Sequence, residues 1–240
     1  MIGVAISYAP HHPGRTAALE RLLGQLPAEW PRYIESEPGK PHEWSERLWR
    51  GGLALGTDYV LCLNEDMQLC EGFGEVLEAI LRARPNHFIT LYNAHKLAKQ
   101  AQIRQMRWIT TCDGLIGNAY VLPRAGLEDF LSWRDSALIP GFVEHCSEDN
   151  LLNIWAMARG VLLWHAVPAL VTHDTSLPSC YGNIPTHCPV PPRAKMPRDG
   201  WDTDALHIGR YYAGSHYYLV TRLREPMLDR YWELCAEPAL

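Results

Sequence analysis

Residues 59–70, YVLCLNEDMQLC, decide the fold. Tyr59 to Leu63 is a short apolar run of the length and composition of a buried strand. It stops on an amide and two acids, Asn64, Glu65 and Asp66. In an open sheet covered by helices, ligands bind beyond the carboxyl ends of the strands. The stretch therefore predicts a core strand and places three polar side chains where a ligand would sit.

Working back toward the N-terminus, IGVAISYA (Ile2 to Ala9) is a second apolar, β-rich run that opens into the loop PHHPGR. A helix is expected from Thr16, with Leu19, Leu22, Leu23 and Leu26 on one face. PRYIESEPGK predicts a short strand ending in a Pro/Gly turn. HEWSERLWRGGLALG predicts a helix with Trp44, Leu48 and Leu55 on its apolar side, weakened by Gly51 and Gly52. The order β-α-β-α-β argues for an α/β fold with a mostly parallel sheet flanked by helices.

Downstream, EGFGEVLEAILRARP predicts a helix stopped by Pro85, and HFITLYN a strand. AHKLAKQAQIRQMRW suits a basic helix or a loop. GNAYVLPR predicts a strand and AGLEDFLSWRDSA a helix. SEDNLLNIWAMARG predicts a helix capped by Ser147 and closed by Gly160, and VLLWHAVPALVTH one or two strands. From about Ser176 the composition turns Pro-rich, then aromatic and helical in pattern, through DALHIGRYYAGSHYYLVTRL. Residues 1–177 are expected to form the main domain and 178–240 an extension packed on it, on the acceptor side or as a lid.

The 240 residues can bury a sizeable core, and 47% hydrophobic against 20% charged excludes a disordered chain. A net charge of −5 argues against an all-over nucleic-acid binder. From Ala79 to Cys112, however, there is no acid, while Arg82, Arg84, Lys96, Lys99, Arg104 and Arg107 are present. That run is either a phosphate-facing patch or a solvated face. The nine Trp fit stacking on sugars or bases, or a Trp-rich core. Seven scattered Cys without a CxxC predict neither a disulfide framework nor a zinc site, and suit reduced thiols in the cytoplasm. No apolar run reaches membrane-spanning length.

Three further features could act with the strand end at Asp66. Glu148 and Asp149 open a helix, where the dipole favours ionised carboxylates and suits a general base; helix capping explains them too. His173 ends the apolar run PALVTH, where it is either structural or a metal ligand. Gly114 and Gly117 precede the strand AYVLP, where a backbone can approach a ligand closely.

In this order, LNED, GNAYVLP, SEDNLLNIW and LVTH resemble the GT-A-fold glycosyltransferases, particularly small single-domain enzymes of bacteria and phages. The resemblance covers roughly residues 1–177. It implies that Asp66 and His173 hold Mn2+ or Mg2+ in a complex with a nucleotide sugar, with a UDP-sugar the expected donor. It implies that Ser7, Tyr8 and Ala9 lie against the nucleotide base. Asn64 and Glu65 would stand beside the donor, and Gly114 to Gly117 beside donor and acceptor. In an inverting enzyme Asp149, with Glu148 beside it, would be the catalytic base. Asn64 departs from the family, which often carries Asp there; an amide suits ribose contact. The expected function is sugar transfer to an acceptor hydroxyl. A hydroxymethylated base in phage-type DNA is one acceptor to consider, and a cell-surface glycan or protein is another. A nucleotidyltransferase and a non-catalytic carbohydrate- or nucleic-acid-binding module are the rival readings.

Overall fold

A computed structural model describes residues 1–92, 98–112, 119–137, 142–145, 148–174, 176–177, 200–209, 229–230 and 233. Strands β1 (Ile2–Ser7), β2 (Arg32–Glu35) and β3 (Tyr59–Asn64) alternate with helices α1 (Arg15–Gln25) and α2 (Pro41–Ala54). Next come β4 (Met67–Leu69), α3 (Phe73–Ala83), β5 (Phe88–Thr90), α4 (Ala98–Ile103), β6 (Trp108–Thr111), β7 (Ala119–Pro123) and α5 (Arg124–Ala137). The remaining elements are α6 (Glu148–Arg159), β8 (Leu163–Ala166), β9 (Val171–His173) and β10 (Ala205–Gly209).

Eight strands form one sheet in the order β10-β6-β8-β5-β7-β3-β1-β2, and β4 pairs with β9 in a small second sheet. The large sheet is mixed. The pairs β1–β2, β1–β3, β5–β8 and β6–β10 are parallel. The pairs β3–β7, β5–β7 and β6–β8 are antiparallel. The expected mostly parallel order holds around β1, where helical crossovers link the strands. It fails where β7 inserts between β3 and β5, antiparallel to both, and again where β6 pairs antiparallel with β8.

Why β3 is apolar up to Leu63 follows from burial on both faces. Val4, Ile6, Leu61 and Leu63 face one core cluster with α1 and α3, through Leu22, Val76, Leu77 and Ile80. Their alternates Ala5, Val60 and Cys62 face a second cluster with α2, α5 and α6, through Trp49, Phe130, Leu151 and Trp155. Successive strand residues point to opposite faces, so two covered faces leave no polar position. Burying each large side chain contributes about 1.5–3 kcal/mol. Trp49 Nε1 donates to the Tyr120 hydroxyl at 2.7 Å, which satisfies both within the second cluster.

The glycines that weaken α2 as a helix let it approach the sheet. A Cβ on Gly52 would stand 2.6 Å from Val60 Cγ1, and one on Gly51 would stand 2.2 Å from the Tyr33 ring. Trp30, Trp49, Trp108, Trp133, Trp155 and Trp201 are all buried, so most of the nine Trp serve the core.

Two expectations need correction beyond the parallel sheet. Residues 205–209, expected to be helical, form β10, which extends the large sheet beside β6. Trp201 just before it is buried against Trp108, its ring centroid 5.3 Å away. The strands β4 and β6 were not expected at all. The aromatic segment 211–218 lies outside the described residues, as does 178–199. Among the described residues no helix is long and apolar enough to cross a membrane, and Cys62, Cys70 and Cys112 are free thiols.

Candidate active site

The parallel pairing of β1 and β3 sets Ser7 directly beside Asn64, and the pairing of β1 and β2 sets Ser7 beside Glu35. The chain then leaves all three strands at one end of the sheet. Backbone bonds stitch that end together. Glu65 N donates to Ser7 O at 3.0 Å and Tyr8 N to Glu35 O at 2.9 Å. Ala9 N donates to the Glu65 carboxylate at 3.2 Å. Ser7, Tyr8, Ala9, Asn64 and Glu65 are therefore neighbours.

His173 reaches the same place by a different route. The short pair β4–β9 is antiparallel and opposes Met67 to His173. Asp174 N donates to Asp66 O at 2.8 Å, which locks the register beside the acid. His173 Nδ1 lies 3.5 Å from Asp66 Oδ2, and Tyr92 packs edge-on against the imidazole, the centroids 5.2 Å apart. Two residues far apart in sequence thus lie side by side.

A residue outside the expected set completes the cluster. Arg15, the first residue of α1, is 2% exposed. Its Nη1 lies 2.7 Å from Asp66 Oδ2 and 3.3 Å from Glu65 Oε1. Helix N-termini disfavour positive charge, so an arginine in that position is itself a sign of an acidic partner. Glu65 and Asp66 are 3% and 8% exposed. Burial opposes the Asp66 charge, but the His173 contact and the Arg15 guanidinium outweigh it and hold the carboxyl below its ordinary value. For Glu65, burial prevails over Arg15, and the charge of Asp66 adds to it, so that carboxyl is raised. Asp66 Oδ1 is buried and has no hydrogen-bond partner among the described residues.

Asp66 and His173 are the residues that could hold a hard divalent cation, on an oxygen that Arg15 now contacts. Oxygen and nitrogen ligands on adjacent corners of an octahedron at about 2.1 Å stand roughly 3 Å apart. The 3.5 Å between Asp66 Oδ2 and His173 Nδ1 is close to that span, and the bare Oδ1 offers a further acceptor. Among the described residues there is no group of three or more His, Cys, Asp and Glu placed to hold a metal. Phosphate oxygens and water commonly complete such a shell when the protein gives only one or two ligands.

Other expected residues are placed less fully. Glu148 and Asp149 begin α6, as the helix signal predicts, but their side chains lie outside the described residues. Gly114 and Gly117 also lie outside them. The strand they feed does start at this end: Ala119 of β7 pairs with Leu63, one residue before Asn64. In the basic run, Arg84 is turned inward. It stacks over Trp164 at 4.8 Å and donates to Thr203 O at 2.7 Å and to Asp202 at 3.3 Å. Arg82 and Arg104 are exposed and Arg107 is half-buried. A groove of about 600 Å³, lined by Met1, Trp30, Tyr59 and Leu81, opens at the opposite, amino end of β1 and β3.

No protein-family model matches the chain, and no curated protein matches it. Among solved structures, the crystal structure of A197 from STIV is similar over 82% of this chain and 97% of that one, with 13% identity and a TM-score of 0.48. No role for a residue follows from that likeness.

Proposed function

We propose that the chain is a glycosyltransferase of GT-A type that transfers a sugar from a nucleotide sugar, with a UDP-sugar as the expected donor. The observation that carries the proposal is the approach of His173 to Asp66 at the carboxyl ends of β1 and β3. A divalent cation, Mn2+ or Mg2+, would there offset charge on the departing diphosphate. Asp66 and His173 are the residues to hold it. Asn64, at the end of β3 beside Ser7, is the proposed ribose contact, and Ser7 to Ala9 the proposed base contact. Asp149 is the proposed base that takes the proton of the acceptor hydroxyl if the anomeric carbon inverts, with Glu148 supporting the same helix end.

The nucleotidyltransferase reading loses support at Arg15. The loop after β1 has one arginine to offer a phosphate, and that arginine is buried on Glu65 and Asp66. A DNA acceptor rests on Arg82, Arg104 and Arg107, together with Lys96 and the Lys99 side chain, which lie outside the described residues; Arg84 is engaged within the fold. A mobility shift with duplex DNA that fades with salt is the outcome expected of it.

The test of the main reading is slow UDP release from UDP-sugars in the presence of Mn2+. Release that vanishes in Asp66→Ala supports the transferase. No release, together with no nucleotide-sugar binding by calorimetry, sinks it.

A further inference from the structure

Asp66 Oδ2 already faces a cation. Arg15 Nη1 stands 2.7 Å from it, on the same oxygen that His173 Nδ1 approaches at 3.5 Å. A metal bound between Asp66 and His173 would share that oxygen with a guanidinium, or displace it. With both carboxylates ionised, Glu65, Asp66 and Arg15 sum to −1, too little to balance a divalent ion beside a fixed positive group. The bare, buried Asp66 Oδ1 marks the cluster as incomplete, because buried carboxylate oxygens otherwise find donors.

We infer that Arg15 is a resident counter-cation that keeps free divalent metal off Asp66 and His173, so that the site accepts metal together with an anionic diphosphate. The inference rests on the metal–nucleotide reading of the site and adds a positioning residue to it. Removing the guanidinium takes the cluster from −1 to −2 and clears the shared oxygen. Bare cation then binds without help from phosphate. A diphosphate supplies the same missing charge in the native protein.

The experiment is a titration with Mn2+ read by electron paramagnetic resonance, with and without UDP. The native protein should bind Mn2+ weakly alone and more tightly with UDP. Arg15→Gln should bind Mn2+ alone on the order of tenfold more tightly, with the benefit of UDP reduced. Arg15→Lys keeps the charge and should bind like the native chain. Glu65→Gln, which brings the cluster to zero, should weaken Mn2+ binding further. That arm decides the matter if Arg15→Gln does not fold. Unchanged or weaker affinity in folded Arg15→Gln overturns the inference, as does unchanged affinity in Glu65→Gln. Native binding of Mn2+ with UDP would leave the transferase reading standing after that failure. A gain in Arg15→Gln without any UDP binding would leave Arg15 as a guard against free metal but overturn the diphosphate half of the inference, and the transferase reading with it.

Discussion

Two of the clusters that join a pair of carboxylates to arginine are built differently. Between α2 and α5, Glu46 accepts from Arg50 at 2.9 Å and from Arg134 at 2.6 Å. Asp135 there accepts from Arg134 at 3.0 Å and from Arg50 at 3.1 and 2.8 Å. Two acids meet two arginines, and every carboxylate oxygen is engaged. At the strand ends, two acids share Arg15, and Asp66 Oδ1 is left with no partner among the described residues. The first cluster lies mostly at the surface, and the second is buried. A network that only holds two helices together can close on itself. A buried one that keeps a net charge and a bare acceptor is costly to maintain, and such arrangements gather at functional sites.

The largest expected effect tests whether burial makes the difference. Arg15→Met removes one partner of a buried ion pair and leaves carboxylates without compensation, which costs about 3–5 kcal/mol. The same change at Arg50, whose side chain is 47% exposed, should cost about 1 kcal/mol or less. Urea unfolding midpoints of the two variants give the comparison directly. Equal losses would mean that the strand-end cluster is no more than another ion pair.

A smaller effect separates ligand from packing. His173→Phe keeps a ring against Tyr92 but removes the nitrogen that faces Asp66. Loss of a supporting contact in a metal site typically lowers affinity or activity by about 10–100-fold, and a direct ligand should cost at least that. The expected result is a fall of that size in UDP release, with little change in unfolding midpoint. A variant that loses stability and keeps its activity would make His173 a core residue.

Much of the closed part of this comparison was not legible in sequence, and much of the open part was. The run Tyr59 to Asp66 announced both a buried strand and a polar end, because two covered faces demand an apolar run and the carboxyl end must stop it. His173 was legible for the same reason, since it ends another apolar run. Arg15 was not legible as a site residue, because PHHPGR has the pattern of a loop and only the cation at a helix start hints at an acidic partner. The short strands β4, β6 and β10 are set by pairing partners distant in the chain. ALHIG, which forms β10, carries no local feature that separates a strand edge from a helix turn. The antiparallel insertion of β7 is likewise a matter of order in space, which the β-α-β-α-β pattern does not encode.

The smallest effect sharpens the contrast from the surface side. Burial pushes the Glu46 carboxyl upward, but the bond from Arg50 and the charge and bond of Arg134 outweigh it, so it sits below 4.5. A carboxyl lowered in the folded chain contributes stability above its unfolded value and loses it as pH falls through the folded one. Glu46→Gln should therefore cost about 0.5–1 kcal/mol at pH 7, an amount moderated by solvent. The gap between native and variant midpoints should narrow as pH drops below 4.5, and it should also narrow in high salt, where exposed charges are screened. A gap that holds constant across both changes would assign the loss to hydrogen-bond geometry, and the surface cluster would then resemble the buried one more than its exposure suggests.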